Sequence, residues 1–243
     1  MLIREKLEQA KVLLGELDVD CWITFVRETE IVGDPTLVFL GPPHLTWHSA
    51  FIVCRDGRTR AIVGSQDVPT VRDLGAWDEV VGFVTSFREP FLDFIRPLDP
   101  RTIALNYSEG SEICDGLTHG MYLTMKRFLA EAGMDDRIVS AEPIVSALRE
   151  RKTAWEVETM RRAIRHTEEI YALVARFLRP GLTEREIASF MHAETRRRGL
   201  GFSWHESICP GVFTGPATAG AHYAPTDRVV ERGHVLNMDF GVK

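Results

Sequence analysis

The sequence predicts an α/β protein in two parts, and three observations carry that expectation. Short apolar, β-branched and aromatic runs alternate with helical spacing of apolar residues through the first part. An Asp56-Gly57 pair joins two of those runs, and further on two longer helical patterns each open on a Thr-x-x-Glu box. The grammar changes near residues 145 to 150, so the chain is read as an α/β layer domain over 1–147 and an α+β segment over 148–243.

From Leu2 to Leu17 apolar residues recur at Leu2, Ile3, Leu7, Ala10, Leu13, Leu14 and Leu17, one face of a helix. "CWITFV" then reads as a buried strand, and "AFIVCRDGRTRAIVG" as two strands around an Asp-Gly turn, the strongest short-range hairpin signal. Val80 to Val84 and "TIALNY" from Thr102 to Tyr107 are further strand candidates. A helix is expected from about Gly120 to Glu131, stopped by Gly133.

In the second part, Thr153 and Glu156 form a capping box: hydroxyl and carboxylate satisfy free N–H groups where a helix begins. Its apolar positions Val157, Met160, Ile164, Tyr171, Val174 and Phe177 follow three- and four-residue steps, and Pro180-Gly181 closes it. A second box, Thr183 to Glu186, opens another helix carrying Ile187, Phe190 and Met191 until Gly199, which makes a helical hairpin. Strand-like pieces at about Glu206 to Cys209 and His234 to Phe240 flank a Gly- and Pro-rich loop of a length that is usually functional.

Composition narrows the function classes. The 243 residues are 44% hydrophobic and 26% charged, enough for a sizeable core, and the net charge of -6 gives no electrostatic reason for nucleic acid or an acidic membrane as partner. The run Arg196 to Arg198 reads as a solvated helix end beside the negative pole of its dipole. Cys21, Cys54, Cys114 and Cys209 are far apart along the chain and sit mostly in apolar runs, which predicts reduced, buried thiols and a cytoplasmic protein. No stretch approaches the length of a membrane span, and the N-terminus lacks the basic-then-apolar order of a signal peptide.

Few residues could carry chemistry. Asp239, beside a glycine at the end of a strand, is by itself a normal turn residue, and His222 in the loop is no more specific. His205 with Glu206 and His222 with Asp239 can be drawn as a metal cluster, but their spacing matches no established ligand pattern. No G-x-S-x-G turn supports a serine hydrolase. Trp47 and His48 in "GPPHLTWH" are as readily packing and turn residues as contact residues.

Taken in order, "LRERKTAWEVETMRRAI", "LRPGLTEREIASFMHAETRRRG", the loop ending "AHYAP" and the strand "GHVLNMDFG" resemble the first half of the pita-bread metallopeptidases. That superfamily includes Xaa-Pro dipeptidases, aminopeptidases P, methionine aminopeptidases and creatinase. The region before residue 145 is similar to the N-terminal domain of the Xaa-Pro and creatinase branches. The resemblance implies a creatinase-like α/β domain followed by an α+β pita-bread domain of which the chain carries the first half. It implies a hydrolase cleaving a peptide bond at proline, with two divalent ions (Mn, Co, Fe or Zn) that acidify a shared water and polarise the carbonyl.

On this resemblance Asp239 takes the place of the first metal-ligand aspartate. His222 takes that of the catalytic, substrate-binding loop histidine. The family's remaining ligands, an Asp, a His and two Glu, come later than Lys243, so the expectation for these 243 residues is no tightly bound metal and no activity alone. Two alternatives stay open: a non-catalytic homologue that binds peptide or protein, and a creatinase-like C–N hydrolase. A final strand with an open edge further predicts a homodimer.

Overall fold

The computed structural model describes residues 2–215 and 223–243. Contacts divide the chain into two compact units, Met1–Trp155 and Glu156–Lys243. Among the described residues no helix is long and apolar enough to cross a membrane.

The first unit is built on a six-stranded mixed sheet. Its strands are β1 (Cys21–Val26), β2 (Ser49–Cys54), β3 (Thr59–Gly64), β4 (Glu79–Phe83), β5 (Ile103–Leu105) and β6 (Ile138–Ser140), in the order β4-β3-β2-β1-β5-β6. β1 with β2 and β2 with β3 pair antiparallel, while β3 with β4, β1 with β5 and β5 with β6 are parallel. The β2–β3 turn closes where the sequence places it: the Gly57 N–H donates to Cys54 O at 3.0 Å, with Gly57 at φ 95°, a conformation costly for any residue with a Cβ.

The strands follow period two, and the alternation decides which helices cover which face. Trp22, Phe51, Val53, Ala61 and Val63 face a core shared with α1 (Leu2–Glu16), α2 (Leu37–Leu40), α3 (Val68–Asp73) and α6 (Glu142–Glu150). Cys21, Ile23, Phe25, Ala50, Ile52 and Ile62 face the other core, filled by α4 (Arg88–Leu98) and α5 (His119–Glu131). The helices α4 and α6 each carry a proline in the first turn, Pro90 and Pro143, where no intrahelical N–H is needed.

A polar network runs through the first core. The Trp22 indole N–H donates to Asn106 Oδ1 at 2.7 Å, and Asn106 Nδ2 donates to Thr24, Asp34 and Thr36, each at 3.0 Å. Asp34 also accepts the Thr36 N–H at 2.8 Å and the Thr36 hydroxyl at 2.6 Å. Burial pushes the Asp34 carboxyl above its ordinary range in spite of those bonds. Trp47 and His48 prove to be packing residues: Trp47 lies against Gly64 and Phe83, and the half-buried His48 ring stacks on Phe25 at 5.7 Å.

All four cysteines are buried free thiols. Distance along the chain hides one relation: Cys21 lies directly opposite Cys54 across β1 and β2, and their N–H groups point outward, to Thr102 O and Arg58 O.

In the second unit α7 (Ala154–Phe177) and α8 (Glu184–Arg197) form the expected hairpin. Phe177 stacks on Phe190 at 4.3 Å, and Arg198 reaches back to Glu169 and His166, so the helices run antiparallel. The Thr183–Glu186 box is fully formed: Glu186 accepts the Thr183 N–H at 2.7 Å while its own N–H donates to Thr183 Oγ1 at 3.2 Å. Gly199, at φ 67°, ends the helix beyond three arginines that each engage a carboxylate: Arg196 with Glu206, Arg197 with Glu194 and Arg198 with Glu169.

One strand differs from expectation. Glu206–Ile208 is a single 3-10 turn, and the strand β7 lies further on at Gly211–Thr214, pairing antiparallel with β8 (Leu236–Asp239). The reason is local: the His205 ring accepts the Ser207 N–H and turns the chain, and Pro210 has no N–H to extend a ladder backward from Gly211.

Candidate functional site

The β7–β8 hairpin positions the acidic residue singled out in the sequence. Asp239 closes β8 opposite Gly211, with Val212 opposite Met238, so the inner residue Val212 fixes the register by packing with Ile187, Met191 and Phe240. Tyr171 of α7 braces the strand end, donating its hydroxyl to Met238 O at 3.2 Å and meeting Phe240 edge-on at 5.9 Å. Burial, and then the nearby Asp239 charge, push the Tyr171 phenol above its ordinary value.

The Asp239 side chain is exposed and makes no hydrogen bond or ion pair among the described residues. His222 lies outside the described residues. The other pair drawn from the sequence is already occupied: His205 caps the 3-10 turn and Glu206 pairs with Arg196. Among the described residues no group of three His, Cys, Asp or Glu comes together as a metal site. A single carboxylate does not by itself make a dinuclear centre.

A second acidic residue, unremarked in the sequence, organises the surrounding chain. Glu184, in the first turn of α8, is 0% exposed. Its Oε1 accepts the Thr214 N–H at 2.8 Å, and its Oε2 accepts the Tyr223 hydroxyl at 2.8 Å, the Thr226 N–H at 2.9 Å and the Thr226 hydroxyl at 2.7 Å. The helix N-terminus adds to this, since Glu184 N–H donates to Arg228 O and Arg185 N–H to Thr226 O, both at 3.1 Å. Burial pushes the Glu184 carboxyl upward, but the bonds from Thr226, Thr214 and Tyr223 outweigh it and hold the group below its ordinary value. An acidic residue in a first helical turn is common for dipole reasons alone, so beyond the capping role of Glu186 nothing in "TERE" marks Glu184.

Comparison with known proteins places this unit. Residues 158–243 match metallopeptidase family M24. The chain is 24% identical over 163 residues to a putative Xaa-Pro aminopeptidase of Mycoplasma genitalium, covering 64% of this chain and 44% of that protein. It is 23% identical over 127 residues to the uncharacterized peptidase YqhT of Bacillus subtilis, covering 52% and 34% respectively. The chain thus spans less than half the length of the curated relatives it matches.

Among solved structures, a putative aminopeptidase P from Bacillus anthracis superimposes with a TM-score of 0.70 at 14% identity, covering 99% of this chain and 62% of that one. An Xaa-Pro dipeptidase from the same organism gives 0.65 at 18% identity, covering 98% and 61%. At such identities the likeness is one of fold: it extends over both units of this chain.

Proposed function

We propose that this chain, whose residues 158–243 match metallopeptidase family M24, supplies the N-terminal domain and the first half of the catalytic domain of an Xaa-Pro-type peptidase. In this reading Asp239 gives one carboxylate to a divalent metal pair and His222 contacts a proline-containing peptide near the scissile bond. The observation that carries the reading is Asp239 itself, an exposed carboxylate without a protein partner among the described residues, fixed at a strand end inside the family-matched segment. Support for the substrate class comes from similar proteins described as Xaa-Pro aminopeptidase and Xaa-Pro dipeptidase.

Titration of the 243-residue chain with Mn(II), followed by electron paramagnetic resonance, is expected to give weak binding that Asp239→Asn lowers about tenfold or more. Equal affinity in the two proteins would remove Asp239 from any metal site. With so few donors, hydrolysis of an Xaa-Pro dipeptide by this chain alone is expected to be undetectable. Turnover that disappears in Asp239→Ala would overturn that expectation while keeping the peptidase assignment. The reading includes a cytoplasmic homodimer, and a monomer mass by light scattering at micromolar concentration would exclude the dimer.

A further inference from the structure

We propose that the cavity at the carboxyl end of β1 is a binding site for a free apolar α-amino acid, held as its zwitterion by Arg27 and Glu28. The cavity lies wholly within the first unit and measures about 290 Å³, at the small end of the range for ligand sites. That size suits a single amino acid better than a peptide.

Its place follows from the topology. β1 and β5 are parallel neighbours, and the chain leaves β1 towards α2 in one core but leaves β5 towards α5 in the other. Loops that part in this way open a crevice outside the strand ends, where ligands of α/β sheets bind. Phe25 and Val26 from β1 and Met121 from α5 supply its apolar walls.

Two consecutive residues make the polar end. In an extended strand Arg27 and Glu28 would point to opposite faces, yet both line this cavity. Glu28 breaks the alternation: its φ is 42°, uncommon for a residue with a Cβ, and its carbonyl accepts the N–H groups of Ile31 and Val32 at 3.0 and 3.3 Å. Neither the Arg27 nor the Glu28 side chain has a hydrogen-bond or ion-pair partner among the described residues. The neighbouring carboxylates are engaged elsewhere, Glu30 with His44 at 2.7 Å and Asp34 with Thr36 and Asn106.

An α-amino acid carries its ammonium and carboxylate on one carbon, so it calls for opposite charges from adjacent positions. The Arg27 guanidinium offers a fork of N–H donors to the carboxylate, and Glu28 accepts from the ammonium. The ligand's side chain lies against Phe25, Val26 and Met121 and takes Ile31 and Val32, 80% and 47% exposed, out of water. Either charge alone would admit a simple acid or amine; together they select the zwitterion.

The test titrates L-leucine into the full 243-residue chain carrying isotope-labelled histidine. His48 is the reporter: it stacks on the cavity wall Phe25, and burial and then the Arg27 charge hold its imidazole below the ordinary value. Its signal is assigned by its loss in His48→Gln. Saturable movement of that signal is expected with a Kd of about 1 mM, while His192 of the second unit stays in place. Leucinamide, which lacks the carboxylate, and N-acetyl-leucine, which lacks the ammonium, are each expected to bind about tenfold more weakly. Arg27→Gln should weaken leucine about tenfold and leave leucinamide as it was, and Glu28→Gln should weaken leucine equally while sparing N-acetyl-leucine.

A His48 signal that fails to saturate below about 20 mM leucine overturns the proposal, as does undiminished leucine binding in either variant. Tighter binding of the dipeptide Leu-Leu than of leucine overturns the assignment to a single amino acid. Neither substitution removes a buried or partnered side chain, so the fold is kept. No readout depends on metal, turnover or Asp239, so failure of the peptidase reading leaves them intact.

Discussion

Replacing Glu184 with alanine is expected to lower the stability of residues 156–243 by about 2 kcal/mol, roughly the cost of leaving one buried backbone donor unmet. Four donors lose their acceptor, but they are not equal. Thr214 is buried, whereas the groups of Tyr223 and Thr226 are only partly so, and their hydroxyls can turn to water. The loss is read as a lowered protection of β7 and β8 amides in native-state hydrogen exchange; protection equal to the parent chain would refute it.

Acid provides a second route to the same loss. The folded pKa of Glu184 lies below its ordinary value, so its contribution is complete above the unfolded pKa of about 4.3 and fades as pH falls through the folded value. The stability gap between the parent chain and Glu184→Gln should therefore be widest at neutral pH and narrow in acid.

In the first unit, Phe91→Ala is expected to cost about 3–5 kcal/mol, the range for removing a large buried aromatic ring. Phe91 is 0% exposed, stacks on Phe87 at 5.4 Å and approaches Phe128 at 6.2 Å, so its loss opens a cavity bounded by rings that cannot collapse without leaving their own contacts. α4 holds one face of the sheet through this ring and its neighbours Leu92 and Ile95. A shift of the urea midpoint followed in peptides of β1 and β2 measures the effect, and a change below about 1 kcal/mol would show that the site relaxes fully.

Much of this architecture is legible in the residues. β1, β2 and β3 are apolar, β-branched runs buried on both faces, and the Asp56-Gly57 turn leaves their pairing little choice. α4 is harder to see because Pro90 and Pro97 look like breakers: Pro90 falls in the first turn, where no intrahelical N–H is needed, but Pro97 lies inside the helix. β6 has three residues and an exposed Val139, too little for any periodicity to register. At the proposed site, Asp239 is singled out by the resemblance that the order of helices, loop and strand around it carries. Glu184 is not, since its partners Thr214, Tyr223 and Thr226 lie 30 to 42 residues away.

The cysteines described in the fold have a use that their chemistry at rest conceals. A thiol reacts as thiolate and only when reached by reagent, and all four here are 0% exposed, with Cys114 pushed up to about 12 chiefly by burial. Labelling under native conditions therefore proceeds through opening, and its rate reports an opening equilibrium rather than reactivity. Cys21, Cys54 and Cys114 belong to residues 1–155 and Cys209 to residues 156–243. The chain thus carries built-in clocks on each unit, which time their breathing separately without any residue being added.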